Sequence, residues 1–182
     1  MIIIGITGTL GAGKGTVVEY LVKRKKFKHY SVSGFLKEEL VKQGRKIDRT
    51  SLQNIGNELR KKFGPAYITK KLFKKAKKGN VNAIIESIRN PKEAKFIKSH
   101  SGFLLAVTAD QKTRYKRIKL RGGEKDNITF IEFKEQEEKE LQSKDPNAQN
   151  LNKCLLIANW HFVNNSSKKS LYEKVEKVIN KI

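Results

Sequence analysis

The chain is short of cysteine, of acidic residues and of long apolar runs. One cysteine, Cys154, leaves no partner for an intramolecular disulfide, and its apolar setting (Cys154-Leu155-Leu156-Ile157) reads as a buried, inert thiol. No segment approaches the ~18 consecutive apolar residues of a transmembrane helix, so a membrane partner is not expected. No basic stretch precedes the first apolar residues, Met1 to Ile4, which argues against a signal peptide and for a cytoplasmic location. Internal repeats and low-complexity segments are absent too. Asp and Glu number 18 against 40 Lys and Arg, a formal charge of +22. The imbalance is local: residues 1–121 hold 30 basic and 8 acidic side chains, whereas 124–145 hold 4 and 8. Such a field suits anionic ligands and is the footprint expected of nucleic-acid binding. Lysines spread over solvated helix faces are the plainer reading.

What is present is organised around Gly8-Thr9-Leu10-Gly11-Ala12-Gly13-Lys14-Gly15-Thr16. The apolar, β-branched run before it reads as a buried strand, and Val17, Val18, Leu21 and Val22 after it recur at helical spacing. Strand, glycine loop, helix is the setting a phosphate-binding loop needs. Gly8, Gly11, Ala12, Gly13 and Gly15 let the chain curl so that backbone amides converge on an anion, helped by the helix N-terminus. Lys14 can reach the β- and γ-phosphates of a nucleotide. In the strict motif the hydroxyl that ligates Mg²⁺ follows the lysine; here Gly15 intervenes, so Thr16 is the inferred metal ligand.

With 182 residues the chain reads as one domain (1–182), long enough to bury about 70% of its unfolded surface. A second strand is expected over 27–32. Ser33 can cap the helix after it, and Ser33 and Gly34 line an acceptor site if that strand ends at the ligand crevice. Thr50 can cap the next helix, which Gly64-Pro65 stops. A helix over 66–78 turns Lys70, Lys71, Lys74, Lys75, Lys77 and Lys78 outward, the best candidate for a nucleic-acid patch, with a solvated face the simpler account. The third strand, 81–87, ends in Glu86, which can hold Mg²⁺ through water or bond an acceptor hydroxyl. Arg89 beyond it can clamp an acceptor phosphate with its planar fork. A fourth strand covers 102–109. Arg114, Arg117 and Arg121 then share one helix face, an arrangement fit to embrace transferring phosphoryl oxygens. Gly122-Gly123 is a joint, and 121–128 is expected to be a short mobile lid within a lid region 114–128. The following helix should turn Phe130, Ile131 and Phe133 inward and Glu132, Glu135, Glu137, Glu138 and Glu140 outward. A fifth strand over 158–163 and an amphipathic helix complete an α/β chain. His29 and His161 read as structural, packed residues. Strands alternating with helices imply a parallel sheet.

Gly13-Lys14-Gly15-Thr16 resembles the adenylate kinase branch of nucleoside monophosphate kinases. The chain as a whole resembles the P-loop small-molecule kinases, in particular the nucleoside monophosphate kinase and dephospho-coenzyme A kinase group. The match rests on the loop, Arg49 and Arg60, Glu86-Ser87-Ile88-Arg89, the arginine-bearing helix 114–121 before a lid, and Asn164-Asn165-Ser166. The resemblance implies a three-layer P-loop NTPase fold with a five-stranded sheet of order 2-3-1-4-5. It also implies a helical acceptor-binding region over 34–80, Arg49 and Arg60 on the acceptor, and Asn164 beside the adenine of ATP. Ser33-Gly34 replaces the acidic residue those kinases often carry after strand two, and a large zinc-type lid is missing. The expected activity is transfer of the ATP γ-phosphoryl, with Mg²⁺, to a (deoxy)nucleoside monophosphate by a monomer or homodimer. The alternatives are dephospho-coenzyme A kinase, with Glu86 on the ribose hydroxyl, and an NTP-dependent RNA-binding or ribosome-assembly factor.

Overall fold

The computed structural model describes residues 1–123 and 126–182. At its centre β1 (Ile3–Gly8) is buried along its whole length, as a strand covered on both faces must be. It pairs in parallel with β3 (Ala83–Ile88) on one side and β4 (Phe103–Thr108) on the other. β2 (Lys28–Ser31) and β5 (Trp160–Val163) form the parallel edges, giving the order β2-β3-β1-β4-β5. This is the order the resemblance implied, and the fold is that of P-loop NTPases. The strands are shorter than the apolar runs indicated. β2 and β5 are edges on which only alternate side chains face inward, so Tyr30 and Phe162 are buried while His29 and His161 are exposed. Neither histidine is packed as expected; His161 Nε2 lies 2.7 Å from Thr108 Oγ1 at the surface.

Alternation along the strands splits the core in two. Ile4, Ile6 and Ile84 face one layer, built from α1 (Lys14–Lys25) and α9 (Lys168–Ile179). Ile3 and Ile85 face the other, built from α2 (Val32–Lys42), α4 (Tyr67–Lys78), α5 (Pro91–Ser99) and α8 (Leu151–Ile157). α3 (Arg49–Phe63) joins α2 and α4 and packs on both. Cys154 is buried there, and burial pushes its thiol pKa up, which keeps it inert.

Two helix starts differ from expectation. α2 begins directly at the end of β2, so Ser31 rather than Ser33 is its cap, accepting from Gly34 N at 3.1 Å. α3 is capped by Asp48 rather than Thr50, the carboxylate accepting from Ser51 N at 2.8 Å. An anionic acceptor at that position also meets the positive end of the helix dipole.

After α6 (Gln111–Arg121), residues 124–125 of the expected lid lie outside the described segment. α7 (Phe130–Leu141) follows, held by Tyr115 against Phe130 and Phe133 at ring distances of 5.1 and 5.6 Å. That contact sets which face of α7 is buried. Phe133, Glu137 and Glu140, spaced four and three apart, turn inward, while Ile131 is 70% exposed. The inward Ile131 and outward Glu137 and Glu140 of the sequence reading are thereby corrected.

Candidate active site

The loop between β1 and α1 folds as its glycines require. Gly8 and Gly13 take φ of 140° and 103°. A Cβ on Gly8 would collide with the Val107 carbonyl oxygen, and one on Gly13 with the Asn164 side-chain amide. Among the described residues, the amides of Gly13, Lys14 and Gly15 donate to no backbone carbonyl. No acidic side chain occupies the first turn of α1, and no side chain caps it. These free donors at a helix N-terminus fit phosphate oxygens. Lys14 Nζ donates to the carbonyls of Gly8 and Thr9, both at 2.9 Å. The side chain is half-buried and lines the loop cleft. Burial, with Arg89 nearby, lowers its pKa from 10.5 to about 8.

The loop floors a cleft of about 660 Å³ whose walls include Thr16, Glu86, Arg117 and Arg121, a size suited to a small ligand. Thr16 stands in the first turn of α1 and lines the cleft. No group of three His, Cys, Asp or Glu able to hold a metal occurs among the described residues. A Mg²⁺ site here would therefore rest on Thr16 and ligand oxygens, as is usual for nucleotide-bound Mg²⁺. Glu86 lies near the end of β3, bonded by Ser31 Oγ at 3.3 Å and 4.0 Å from His29 Nε2. Its neighbour Ser87 has φ of 72° and drops out of the β1–β3 register between Glu86 and Ile88. This bulge re-aims the chain so that Glu86, Ser87 and Arg89 all reach the crevice.

A second lobe, about 300 Å³, adjoins the first and is lined by α2, α3 and α7. The two share Leu10, Ser33, Ser87, Arg89 and Arg121. Ser33, misplaced as a cap, does stand at the crevice. In this lobe Glu140 is the missing piece: its carboxylate is almost inaccessible and pairs with both Arg49, at 3.2 Å, and Arg89. Gln53 donates to it as well, at 3.3 Å, and Gln149 accepts from Arg89 at 3.3 Å. Burial works against the Glu140 anion, but the Arg89 and Arg49 guanidinia outweigh it and hold the carboxyl below its usual range. Burial conversely lowers the pKa of Arg49. Arg49 Nε is buried without a hydrogen-bond partner among the described residues, an unused donor beside the lobe.

The other nominated arginines are committed to the protein. Arg60 is 1% exposed, and its Nε donates to Glu93 at 3.2 Å. Glu93 also accepts from the amides of Arg89 and Asn90. Arg60 thus braces the strand-end turn from behind while also bordering the second lobe, where the sequence reading placed it. Arg114, by contrast, stands away from its expected place. Its guanidinium donates to the carbonyls of Ala109 (2.7 Å) and Leu10 (3.2 Å) and forks onto Glu137, and it lines neither lobe. It supports the loop from below because it points inward from α6, next to Ile118 in the buried stripe. Arg117 and Arg121 do reach the loop cleft; Arg117 Nη1 donates to Asn164 O at 2.8 Å and Arg121 pairs with Asp126 at 2.6 Å. Asn164 is buried, and its Nδ2 donates to Ala12 O at 2.8 Å. Its side-chain amide tethers the loop, a structural bond beyond the adenine-side place the resemblance gave it.

The sequence reading missed Glu140, Glu137 and Ser31. A signal for the first two was there: both fall on the same helical stripe as Phe133, at +4 and +7, in an acidic segment following a strongly basic one.

Comparison with known proteins agrees with this architecture. A family model described as "AAA domain" matches residues 4–142. The UPF0200 protein of Methanothermobacter thermautotrophicus is 31% identical over 144 residues, covering 78% of this chain and 73% of that protein. Shikimate kinase from Bacteroides thetaiotaomicron superposes with a TM-score of 0.61 at 11% identity, covering 98% of both chains. Deoxyadenosine kinase from M. mycoides, solved with products dCMP and a flexible dCDP bound, superposes with a TM-score of 0.58 at 19% identity over 100% of both chains. With the loop, the strand order and the family match in agreement, the chain is an AAA-domain protein of the UPF0200 family with a kinase-like P-loop fold.

Proposed function

We propose that this chain is an ATP- and Mg²⁺-dependent phosphotransferase that passes the γ-phosphoryl to a (deoxy)nucleoside monophosphate. The observation that carries the reading is the shared wall between the two lobes. A protein that only binds or hydrolyses nucleotide needs the loop cleft alone; a kinase needs a second site opening onto it. Phosphoryl transfer asks chiefly for positioning and charge neutralisation. The loop amides and Lys14 hold the β- and γ-phosphates, and the Thr16 hydroxyl holds the metal. Arg117 and Arg121 border the transferring group. Arg89 and Arg49 take the acceptor anion from the far side, and Glu86 orients the attacking oxygen. Arg114, Arg60 and Asn164 act as positioning residues for the loop and the Arg89 turn.

The test is a coupled assay for ADP formation across AMP, dAMP, CMP, UMP and dephospho-coenzyme A. Acceptor-dependent turnover with a monophosphate, reduced about 10²–10³-fold or more by Lys14→Ala, is the expected result. Turnover with dephospho-coenzyme A alone would reassign the acceptor, a second reading favoured by the exposure of Glu86 to the loop cleft. Hydrolysis that no acceptor stimulates would remove the kinase reading.

A further inference from the structure

The lysine-rich face of α4 carries something that charge counting does not show. α4 contains no acidic residue. Tyr67, Lys70, Lys74 and Lys77 follow one another every three or four residues, so they form a single stripe. Like charges at this spacing oppose the helix, and no ion pair relieves them: none of the α4 lysines has an acidic partner among the described residues. Exposed lysines elsewhere do find partners, as Lys23 and Lys168 do with Glu19.

The stripe lies along a shallow groove of about 470 Å³ floored by aromatic rings. Phe96 lies 5.3 Å from Phe73 and 4.2 Å from His100, centre to centre. Lys70 Nζ stands 5.7 Å above Phe96, and Lys77 Nζ 5.6 Å above Phe73. At the near end Phe63, 48% exposed, stacks on Tyr67 at 4.6 Å and 25°, and Lys62 Nζ lies 5.2 Å from the Phe63 ring. A solvated lysine face has no use for an exposed ring stacked on a half-buried one.

From this juxtaposition we infer that α4 and the adjoining ends of α3 and α5 form a binding surface for single-stranded nucleic acid. Lysines at helical spacing meet the phosphates, and the exposed Phe63 ring at the end of the stripe offers a face to an unstacked base. A duplex keeps its base faces covered and could use only the charge. The 12 residues of α4 span about 18 Å, enough for several nucleotides. The surface is separate from both lobes, and its existence does not depend on the reaction proposed above.

Fluorescence anisotropy with a labelled 20-nucleotide oligo-U RNA, and with a 20-base-pair duplex, tests the assignment. With about four phosphates engaged, single-strand affinity should fall roughly 50-fold between 50 and 200 mM salt. The triple variant Lys70→Gln, Lys74→Gln, Lys77→Gln should cost roughly 20-fold at 50 mM salt. Lys112→Gln, Lys116→Gln, Lys119→Gln removes the same charge from exposed positions on α6 and should cost several-fold less. Phe63→Ala, which alters no charge, should cost about 5-fold for the single strand and nothing for the duplex. Circular dichroism checks that each variant is folded. Equal losses in the two lysine triples, or an unaltered single-strand affinity in Phe63→Ala, would overturn the inference and leave a general polyanion effect. Tighter binding to phosphatidylserine vesicles than to the oligonucleotide would overturn it as well.

Discussion

Lys14 and Glu140 carry opposite burdens in one crevice. The Lys14 side chain is half-buried in the cleft wall, and burial lowers its pKa to about 8. An unfolded chain keeps that proton up to about pH 10.5, so the charged lysine costs the fold most below pH 8. The cost fades as pH rises from 8 toward 10. The melting-temperature difference between wild type and Lys14→Met should therefore shift in favour of wild type over that window. A bound triphosphate favours the charged lysine, so affinity for a non-hydrolysable ATP analogue should weaken above pH 8, as titration calorimetry will show. Glu140 runs the other way: its carboxyl is held below the usual range, so its contribution is full at neutral pH and is lost as pH falls through the lowered value. Glu140→Gln leaves Arg49 and Arg89 without their anion and should cost about 3 kcal/mol at pH 7 by urea denaturation. The gap to wild type should narrow below about pH 4.

Helices show how much could be read in advance and what escaped. The loop, its flanking strand and α1 were legible because glycine geometry and a lysine are local signals. α2 and α3 were found, but their caps were shifted. Ser31, Ser33, Asp48 and Thr50 are all competent cap residues, and only the point where β2 ends and the Ser51 amide points decides among them. Asp48→Ala should cost about 1 kcal/mol in chemical denaturation, and Thr50→Ala well under half of that. α7 was misread for a different reason. Glutamates on an exposed-looking helix are normally solvated, and their burial is bearable only because arginines from α3, α6 and the β3 turn converge there. Convergence of that kind is tertiary information. The same holds for Arg114, Arg60 and Asn164. Their types were right for a phosphate site, but their partners lie in distant parts of the chain.

For the whole molecule, the charge of +22 does not act uniformly. In and around the crevice most guanidinia are already met by carboxylates: Arg49 and Arg89 by Glu140, Arg60 by Glu93 and Arg121 by Asp126 at its walls, and Arg114 by Glu137 beneath the loop. The remaining excess is displayed largely by lysines outside it. Binding in the loop cleft should accordingly stabilise the protein by mass action, about 2.7 kcal/mol at 100 times the dissociation constant. Differential scanning fluorimetry with the ATP analogue and Mg²⁺ should show a rise in melting temperature that Lys14→Ala abolishes. The strand order was legible only through the likeness to P-loop kinases. Five alternating strands announce a parallel sheet, but nothing local tells β1 to lie between β3 and β4.

The bond from Asn164 to Ala12 spans 152 positions. Ribosomes make the glycine-rich turn well before the side chain that locks it. Nascent chains should thus lack nucleotide affinity until β5 and Asn164 beyond it have been released and docked. A fragment cut before residue 160 would contain every motif residue from Gly8 to Thr16 and still hold nucleotide poorly.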